Sequence, residues 1–226
     1  MSTNEVVVAR SVSRTFGHGT RSVVAVHDAT CTLRAGDRVA VVGPSGSGKS
    51  TLVHLLAGID EPTLGVIEWP GLVRSQRARP TGIGVVFQGL SLLPALDALE
   101  NVAFPLLLAG TDNDAAMRAA GDALARLQLD DVRALLPEQM SGGQAQRVAV
   151  ARALVSAPRL VLADEPTGQL DHGASHMVVD ALIATADAVG AALLVTTHDP
   201  AVAVRFTTRW SMDDGLLVDE SLTWSR

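Results

Sequence analysis

Gly43-Pro44-Ser45-Gly46-Ser47-Gly48-Lys49-Ser50, followed by Thr51, decides how this 226-residue chain is read. The stretch comes directly after a β-branched run, Val39-Ala40-Val41-Val42, and leads into Leu52, Val53, Leu55 and Leu56 at helical spacing. Strand, glycine-rich turn and helix in that order match G-x-x-x-x-G-K-[ST] without a gap, the sequence form of a P-loop. Gly46 and Gly48 let the backbone turn tightly and point successive N–H groups inward. That nest, with the positive end of the following helix, suits a polyphosphate. Lys49 is placed to reach the outer phosphates, and the Ser50 hydroxyl to be a Mg²⁺ ligand. A Gly/Ser-rich loop arising by chance has no reason to sit between a strand and a helix with every position matched. Nucleotide binding follows from this stretch alone; the use made of the nucleotide must come from elsewhere in the chain.

Composition narrows the field. The length allows one good core, or one core with a small subdomain. With 47% hydrophobic and 19% charged residues, the chain is expected to be a compact soluble protein. A net charge of −6 argues against nucleic acid as a partner, because neutralising phosphates needs a basic surface. Met1-Ser2-Thr3-Asn4-Glu5 carries neither a basic nor an apolar run, so no secretory signal is expected. The apolar runs around Leu106-Leu107-Leu108 and Leu193-Leu194-Val195 are core-sized, well short of the roughly 20 residues of a membrane span. Cys31 is the only cysteine, which rules out a disulfide framework and fits a reducing compartment. Its place in Thr30-Cys31-Thr32-Leu33 reads as a buried, inert thiol.

Working outward from the P-loop, Val6-Val7-Val8, Val23 to Val26, and Ala29 to Leu33 read as three strands. Arg14-Thr15-Phe16-Gly17-His18-Gly19 reads as a turn that exposes one of only four phenylalanines. Phe16 is either a loop anchor on the sheet or a flat ring on which an adenine stacks. On the other side, Val66-Ile67-Glu68-Trp69 and the run from Ile83 to Phe87 read as strands, the second ending at Gln88. The arginines between Arg74 and Arg79 read as a solvated loop. From Leu90 to Gly110 the chain is apolar and helical in spacing, broken by Pro94 and Pro105, and from Asp114 to Leu127 it is an amphipathic helix. This helical insert either packs plainly or offers Leu92, Leu93, Leu96 and Leu99 as an exposed edge for a partner's helix.

Two further constellations carry chemistry. Met140-Ser141-Gly142-Gly143-Gln144 opens a helix with Ser141 as N-cap, and its two glycines leave N–H groups free for an anion. A second phosphate-binding helix start in one chain is explained if each nucleotide is shared between two copies. Leu160-Val161-Leu162-Ala163-Asp164-Glu165 is a buried strand ending in adjacent acids. Asp164, read as the first residue out of the strand, suits a Mg²⁺ contact through water, and Glu165 suits polarising a water beyond the γ-phosphate. Gly168-Gln169-Leu170-Asp171 follows as a turn. The strand from Ala192 to Thr196 ends at Thr197-His198-Asp199-Pro200, where His198 can meet the γ-phosphate at the sheet edge that binds ligands in open α/β sheets. Met212-Asp213-Asp214-Gly215 reads as a turn and Leu216 to Val218 as a last strand.

In this order the P-loop, Gln88, Ser141-Gly142-Gly143-Gln144, Asp164-Glu165, Asp171 and His198 resemble the ATP-binding subunit of ABC transporters over essentially the whole chain. The resemblance implies an α/β fold: a P-loop NTPase core with an N-terminal antiparallel β-subdomain and an inserted helical subdomain. It implies a single domain over 1–226, with core and β-subdomain at about 1–89 and 157–226 and the helical subdomain at about 90–156. It implies ATP and Mg²⁺ as cofactors and ATPase activity. Residues Gly43 to Thr51 form the phosphate cradle, Ser50, Gln88 and Asp164 the Mg²⁺ shell, Glu165 the catalytic base and His198 the switch histidine. By the same resemblance Ser141 to Gln144 would be a signature loop that closes on ATP held by the opposite subunit, Asp171 a further nucleotide-binding residue, and Phe16 the ring that stacks the adenine. Three departures stand out: Met140 where Leu is common, Gln169 in the turn before Asp171, and a shorter stretch from Gly71 to Thr81. None removes a catalytic group.

Leu92-Leu93-Pro94, Ala98-Leu99-Glu100-Asn101-Val102 and Ala163-Asp164-Glu165-Pro166-Thr167-Gly168 are similar to the branch that serves macrolide export and lipoprotein release by mechanical transmission. The implied partners are a second ATP-binding subunit, as a homodimer, and an integral membrane permease docking between Leu90 and Gly110. The implied place is the cytoplasmic face of the cell membrane. The expected function is to drive that permease in export or extraction of a hydrophobic or amphipathic substrate. The alternative is an ATPase regulator of a permease-like protein that transports nothing, as in division signalling. A soluble ABC ATPase acting on DNA or ribosomes would call for tandem halves, an insert or a basic tail. A P-loop kinase leaves Ser141 to Gln144 and Asp171 unexplained.

Overall fold

A computed structural model describes residues 4–17, 19–72, 80–89, 91–168, 170 and 172–219. Asp171, Gln169, Leu90, His18 and the arginines between 74 and 79, all singled out above, lie outside the described residues. Along the chain run β1 (Glu5–Phe16), β2 (Val23–Arg34), β3 (Arg38–Val42), α1 (Lys49–Leu56), β4 (Leu64–Glu68), β5 (Ile83–Val86), α2 (Ala98–Leu108), α3 (Asn113–Arg126), α4 (Gly142–Leu154), β6 (Leu160–Asp164), α5 (His172–Val189), β7 (Ala192–Thr197), α6 (Pro200–Ala203), β8 (Thr208–Asp213) and β9 (Leu216–Asp219).

The strands form two sheets. One is antiparallel, in the order β2-β1-β4; the other runs β5-β6-β7-β3-β8-β9, with every neighbouring pair parallel except β8 and β9. Every residue of β6 and β7 is buried, as expected for central strands covered on both faces, and this is why both read as unbroken apolar runs. Alternation still sorts their side chains. Leu160 and Leu162 pack with Leu52, Leu55 and the valines of β1, while Val161 and Ala163 pack with α2, α3 and α4. The large sheet is thus the middle layer, with α1 and the antiparallel sheet on one face and the helices on the other.

Several local expectations need correction. The run from Val23 to Leu33 is one strand, not two, and Arg14 to Phe16 complete β1 instead of forming a turn. The polar interruptions are bulges. Ser11 and Asp28 take left-handed φ values of 47° and 49°, and their N–H groups donate to the Thr30 and Ser13 hydroxyls at 2.9 Å each. Side-chain oxygens replace the ladder partners lost at the register shifts. Helix α2 runs through Pro105, giving up one bond to the Asn101 carbonyl. Leu92, Leu93, Leu96 and Leu99 are half-buried, and Leu92 and Leu99 lean on the core instead of forming an exposed edge. Asp164 is the last residue of β6, so Glu165 is the first one out. Met212 and Asp213 belong to β8, not to a turn.

Cys31 is buried in β2, and burial pushes its thiol up to about 12. At pH 8 the reactive thiolate is therefore scarcer by roughly three orders of magnitude than for an exposed cysteine. A thiol reagent at pH 8 is expected to label the native chain at least about 100-fold more slowly than the urea-unfolded chain. The group is neutral in the fold and free to ionise when unfolded. Its contribution to stability is therefore constant below about pH 8 and falls as pH rises from there. Denaturation midpoints at pH 7 and 9.5 measure that fall.

Candidate active site

The parallel pairing brings the C-terminal ends of β5, β6, β7 and β3 side by side at one sheet edge. In that spatial order the edge carries Gln88, Glu165, His198 and the P-loop. In sequence the four lie far apart; the topology alone collects them.

The loop is built to come close to its surroundings. Gly48 caps α1 in a left-handed conformation, φ 102°, with no side-chain cap on the helix start. The first N–H groups of α1 are consequently left to whatever the loop holds. A Cβ at Gly48 would fall 2.0 Å from the Ala25 carbonyl oxygen, and one at Gly43 would fall 2.0 Å from that of Met212. Gly215 N–H donates to the Ser47 carbonyl at 3.0 Å, so β2, β8 and the β8–β9 turn brace the loop. The Ser47 hydroxyl is buried and meets no partner among the described residues. Pro44, Ser45 and Gly46 are exposed, and Ser50 and Thr51 are half-buried.

Lys49 is 4% exposed. Its Nζ donates to the Gly43 and Pro44 carbonyls at 2.9 Å each and lies 3.7 Å from Glu165 Oε1. The other Glu165 oxygen, Oε2, accepts from Gln88 Nε2 at 3.2 Å and lies 3.3 Å from His198 Nδ1. One carboxylate thus meets three of the groups singled out from sequence. Its backbone is bent to do so: Glu165 has φ 43°, a left-handed conformation costing about 1 kcal/mol for a residue with a Cβ. Thr196 holds that bend. Its hydroxyl donates to Asp164 Oδ1 at 2.6 Å and accepts from Glu165 N–H at 2.9 Å. Thr196 was missed as a site residue; the one signal was a polar Thr196-Thr197 pair closing an apolar strand.

Among the described residues, no three His, Cys, Asp or Glu side chains are arranged to hold a metal by themselves. The candidate donors are the Ser50 hydroxyl, the Gln88 amide oxygen and Asp164. Asp164 is buried, and its Oδ2 has no protein donor among the described residues. This sparse, all-oxygen set fits Mg²⁺, which keeps waters and completes its octahedron with phosphate oxygens.

Two candidate groups stand apart from this cluster. Ser141 caps α4 in a reciprocal box: Gln144 N–H donates to Ser141 Oγ at 3.2 Å, and Ser141 N–H to Gln144 Oε1 at 2.9 Å. Ser141 and Gly142 are exposed, and no hydrogen bond joins this turn to the P-loop among the described residues. Phe16 ends β1 at 42% exposure, with the Arg14 guanidinium 4.6 Å from its ring centroid. Val23 and Val24, its neighbours across the ladder, are also exposed.

The profile of a family described as "ABC transporter" matches residues 26–168. A lipoprotein-releasing system ATP-binding protein, LolD, from Legionella pneumophila (strain Paris) is 40% identical, covering 98% of both chains. A macrolide export ATP-binding/permease protein, MacB, from Rhodopseudomonas palustris (strain HaA2) is also 40% identical; the match covers 95% of this chain and 34% of that larger protein. Among solved structures, the dimeric post-hydrolysis state of the ATP-binding cassette MJ0796 bound to ADP and Pi superposes with a TM-score of 0.85 at 32% identity. That match covers 93% of this chain and 96% of the cassette.

Proposed function

This chain belongs to the ABC transporter family, and on that premise we propose that two copies clamp two Mg-ATP molecules between them and drive a membrane permease. The chain is an ATPase. The observation that carries the catalytic reading is the Glu165 carboxylate, within 3.7 Å of Lys49, Gln88 and His198 at one sheet edge.

In this reading the residues from Gly43 to Thr51 wrap the phosphates, and Lys49 exchanges its two carbonyl partners for phosphate oxygens. Ser50, Asp164 and Gln88 would hold Mg²⁺, which would supply positive charge against the charge developing on the phosphates. Glu165 takes a proton from the attacking water, His198 senses the γ-phosphate, and Gln88 ties the base to the metal side. Phe16 receives the adenine. The capped turn from Ser141 to Gln144, which makes no hydrogen bond to its own P-loop among the described residues, serves the nucleotide of the other copy, as does Asp171. The residues between 90 and 156 form the unit that turns as ATP is gripped, and 91–110 receives the permease. No described helix is long and apolar enough to cross a membrane; in this reading the permease holds the chain at the cytoplasmic face. The relatives named for lipoprotein release and macrolide export support a hydrophobic or amphipathic substrate, moved by export or extraction.

The test has two arms. Purified chain with Glu165→Gln and Mg-ATP should run at twice the 23.5 kDa chain mass, and at the monomer mass without nucleotide. Tagged wild-type chain, solubilised from its own membranes, should bring down one polytopic protein that raises its ATPase rate. A monomer under both conditions, or a rate indifferent to every co-purifying membrane protein, overturns the proposal.

A further inference from the structure

Arg152, in the last turn of α4, is a half-buried cation with no carboxylate within ion-pair distance among the described residues. Burial pushes its guanidinium below the ordinary arginine value, and the negative end of the α4 dipole offsets part of that cost. An apolar side chain would pack α4 against α2 without desolvating a charge. The guanidinium fork does what an apolar chain cannot, because it meets two polar groups together. Nη2 donates to the Ser91 hydroxyl at 2.8 Å, and Nη1 to Asn101 Oδ1 at 3.5 Å.

Asn101 is fully buried in α2 and is the knot of the segment that precedes it. Its Nδ2 donates to the carbonyls of Leu93, Leu96 and Asp97 at 3.1, 2.8 and 3.0 Å, while Oδ1 accepts from Leu93 N–H at 2.8 Å. Residues 91–97 have no regular structure of their own. Asn101 holds most of their backbone, and Arg152 holds the Ser91 side chain at their start. Helix α4 spans 13 residues, about 20 Å, with the Ser141 turn at one end and Arg152 at the other.

From this geometry we infer that Arg152 is a positioning residue that makes segment 91–97 move with α4, so that engagement of the Ser141 turn is felt at the permease-facing segment. The inference rests on the reading of the Ser141 turn and of 91–110 given above. Asn101 gives the segment its shape, and Arg152 ties that shape to the helix.

Hydrogen exchange of the full chain, with and without Mg-AMP-PNP, tests it. In wild type the nucleotide should protect 43–51 and also alter exchange in 91–97. In Arg152→Met, exchange in 91–97 should be at least tenfold faster and indifferent to nucleotide, while 43–51 stays protected and the apparent affinity for AMP-PNP stays within about twofold. Arg152→Lys, which reaches Ser91 with one donor, should restore part of the response. Ser91→Ala removes the acceptor without touching α4 packing and should weaken the response in the same direction, which covers a poorly folding Arg152→Met. A normal response in both Arg152→Met and Ser91→Ala overturns the inference. So does faster exchange spread equally over β3, β6 and β7, the mark of general destabilisation. Failure of wild type to protect 43–51 would instead overturn the reading of the site.

Discussion

Glu165→Gln is expected to lower steady-state ATP hydrolysis by about 10³-fold or more while leaving ATP bound. General-base catalysis is worth about 10²–10⁴-fold in rate, and the amide keeps the shape of the carboxylate but cannot accept the water's proton. The fold should tolerate the change. The bend at Glu165 is held by Thr196 through backbone N–H and Asp164, not by the carboxylate. A Gln side chain can still accept from Gln88 through its amide oxygen. The melting temperature should therefore move by no more than a few degrees. Because ATP grips both copies until it is cleaved, the variant should accumulate as a nucleotide-bound dimer, and the wild type should not. Phosphate release and size-exclusion chromatography read the two effects. A variant that turns over at more than a tenth of the wild-type rate would remove Glu165 from the role of base and leave the contacts to Lys49, Gln88 and His198 as a structural lock.

What the sequence made legible follows from how each feature is encoded. The P-loop and the adjacent acids at the end of β6 are contiguous signals, so they could be read one residue at a time. Strands β6 and β7 were legible because both faces are buried, leaving apolar runs with no polar interruption. Strand β2 was misread as two because a bulge puts polar residues where an alternating strand would not, and only the pairing with β1 shows that the ladder resumes. Helix α5 went unforeseen although Val178, Val179, Leu182 and Ala186 make a buried stripe at helical steps. Its alanines favour a helix, but Gly173, Ser175 and the β-branched Val178, Val179, Ile183, Thr185 and Val189 dilute that preference, and packing supplies the rest. Strand β8 was hidden for a similar reason, with only Trp210 and Met212 alternating inward. The convergence of Gln88, Glu165 and His198 depends on strand order, a non-local fact. The left-handed backbone at Glu165 depends on Thr196, a residue 31 positions away. The first leaves no mark in local sequence, and the second only the polar Thr196-Thr197 pair.

Gly48→Ala is expected to abolish nucleotide binding and cost stability together, and Gly46→Ala provides the contrast that isolates the cause. Both glycines have left-handed φ, 102° and 81°, so both replacements pay the backbone penalty of about 1–2 kcal/mol. They differ in what surrounds them. A Cβ at Gly46 meets nothing within 4 Å, whereas one at Gly48 lands 2.0 Å from the Ala25 carbonyl oxygen and 2.8 Å from Met212 Cε. The methionine tip can move; the carbonyl belongs to β2 and cannot move without pulling at the hairpin it forms with β1. Relief must come from the loop, and Gly48 is the cap of α1, so a shift there re-aims the first N–H groups of the helix and the Lys49 side chain together. The overlap adds about 1–3 kcal/mol, for a total of roughly 2–5 kcal/mol and a fall in melting temperature of about 4–20 °C in a chain of this size. Gly46→Ala should lose only about 2–8 °C and retain measurable ATP binding. Calorimetry of the apo chains and titration with a fluorescent ATP analogue separate the two. Equal losses in both variants would mean that backbone conformation alone governs the loop. A Gly48→Ala chain that binds ATP normally would mean that β2 yields, and that the close approach of Ala25 is not what fixes the phosphate cradle.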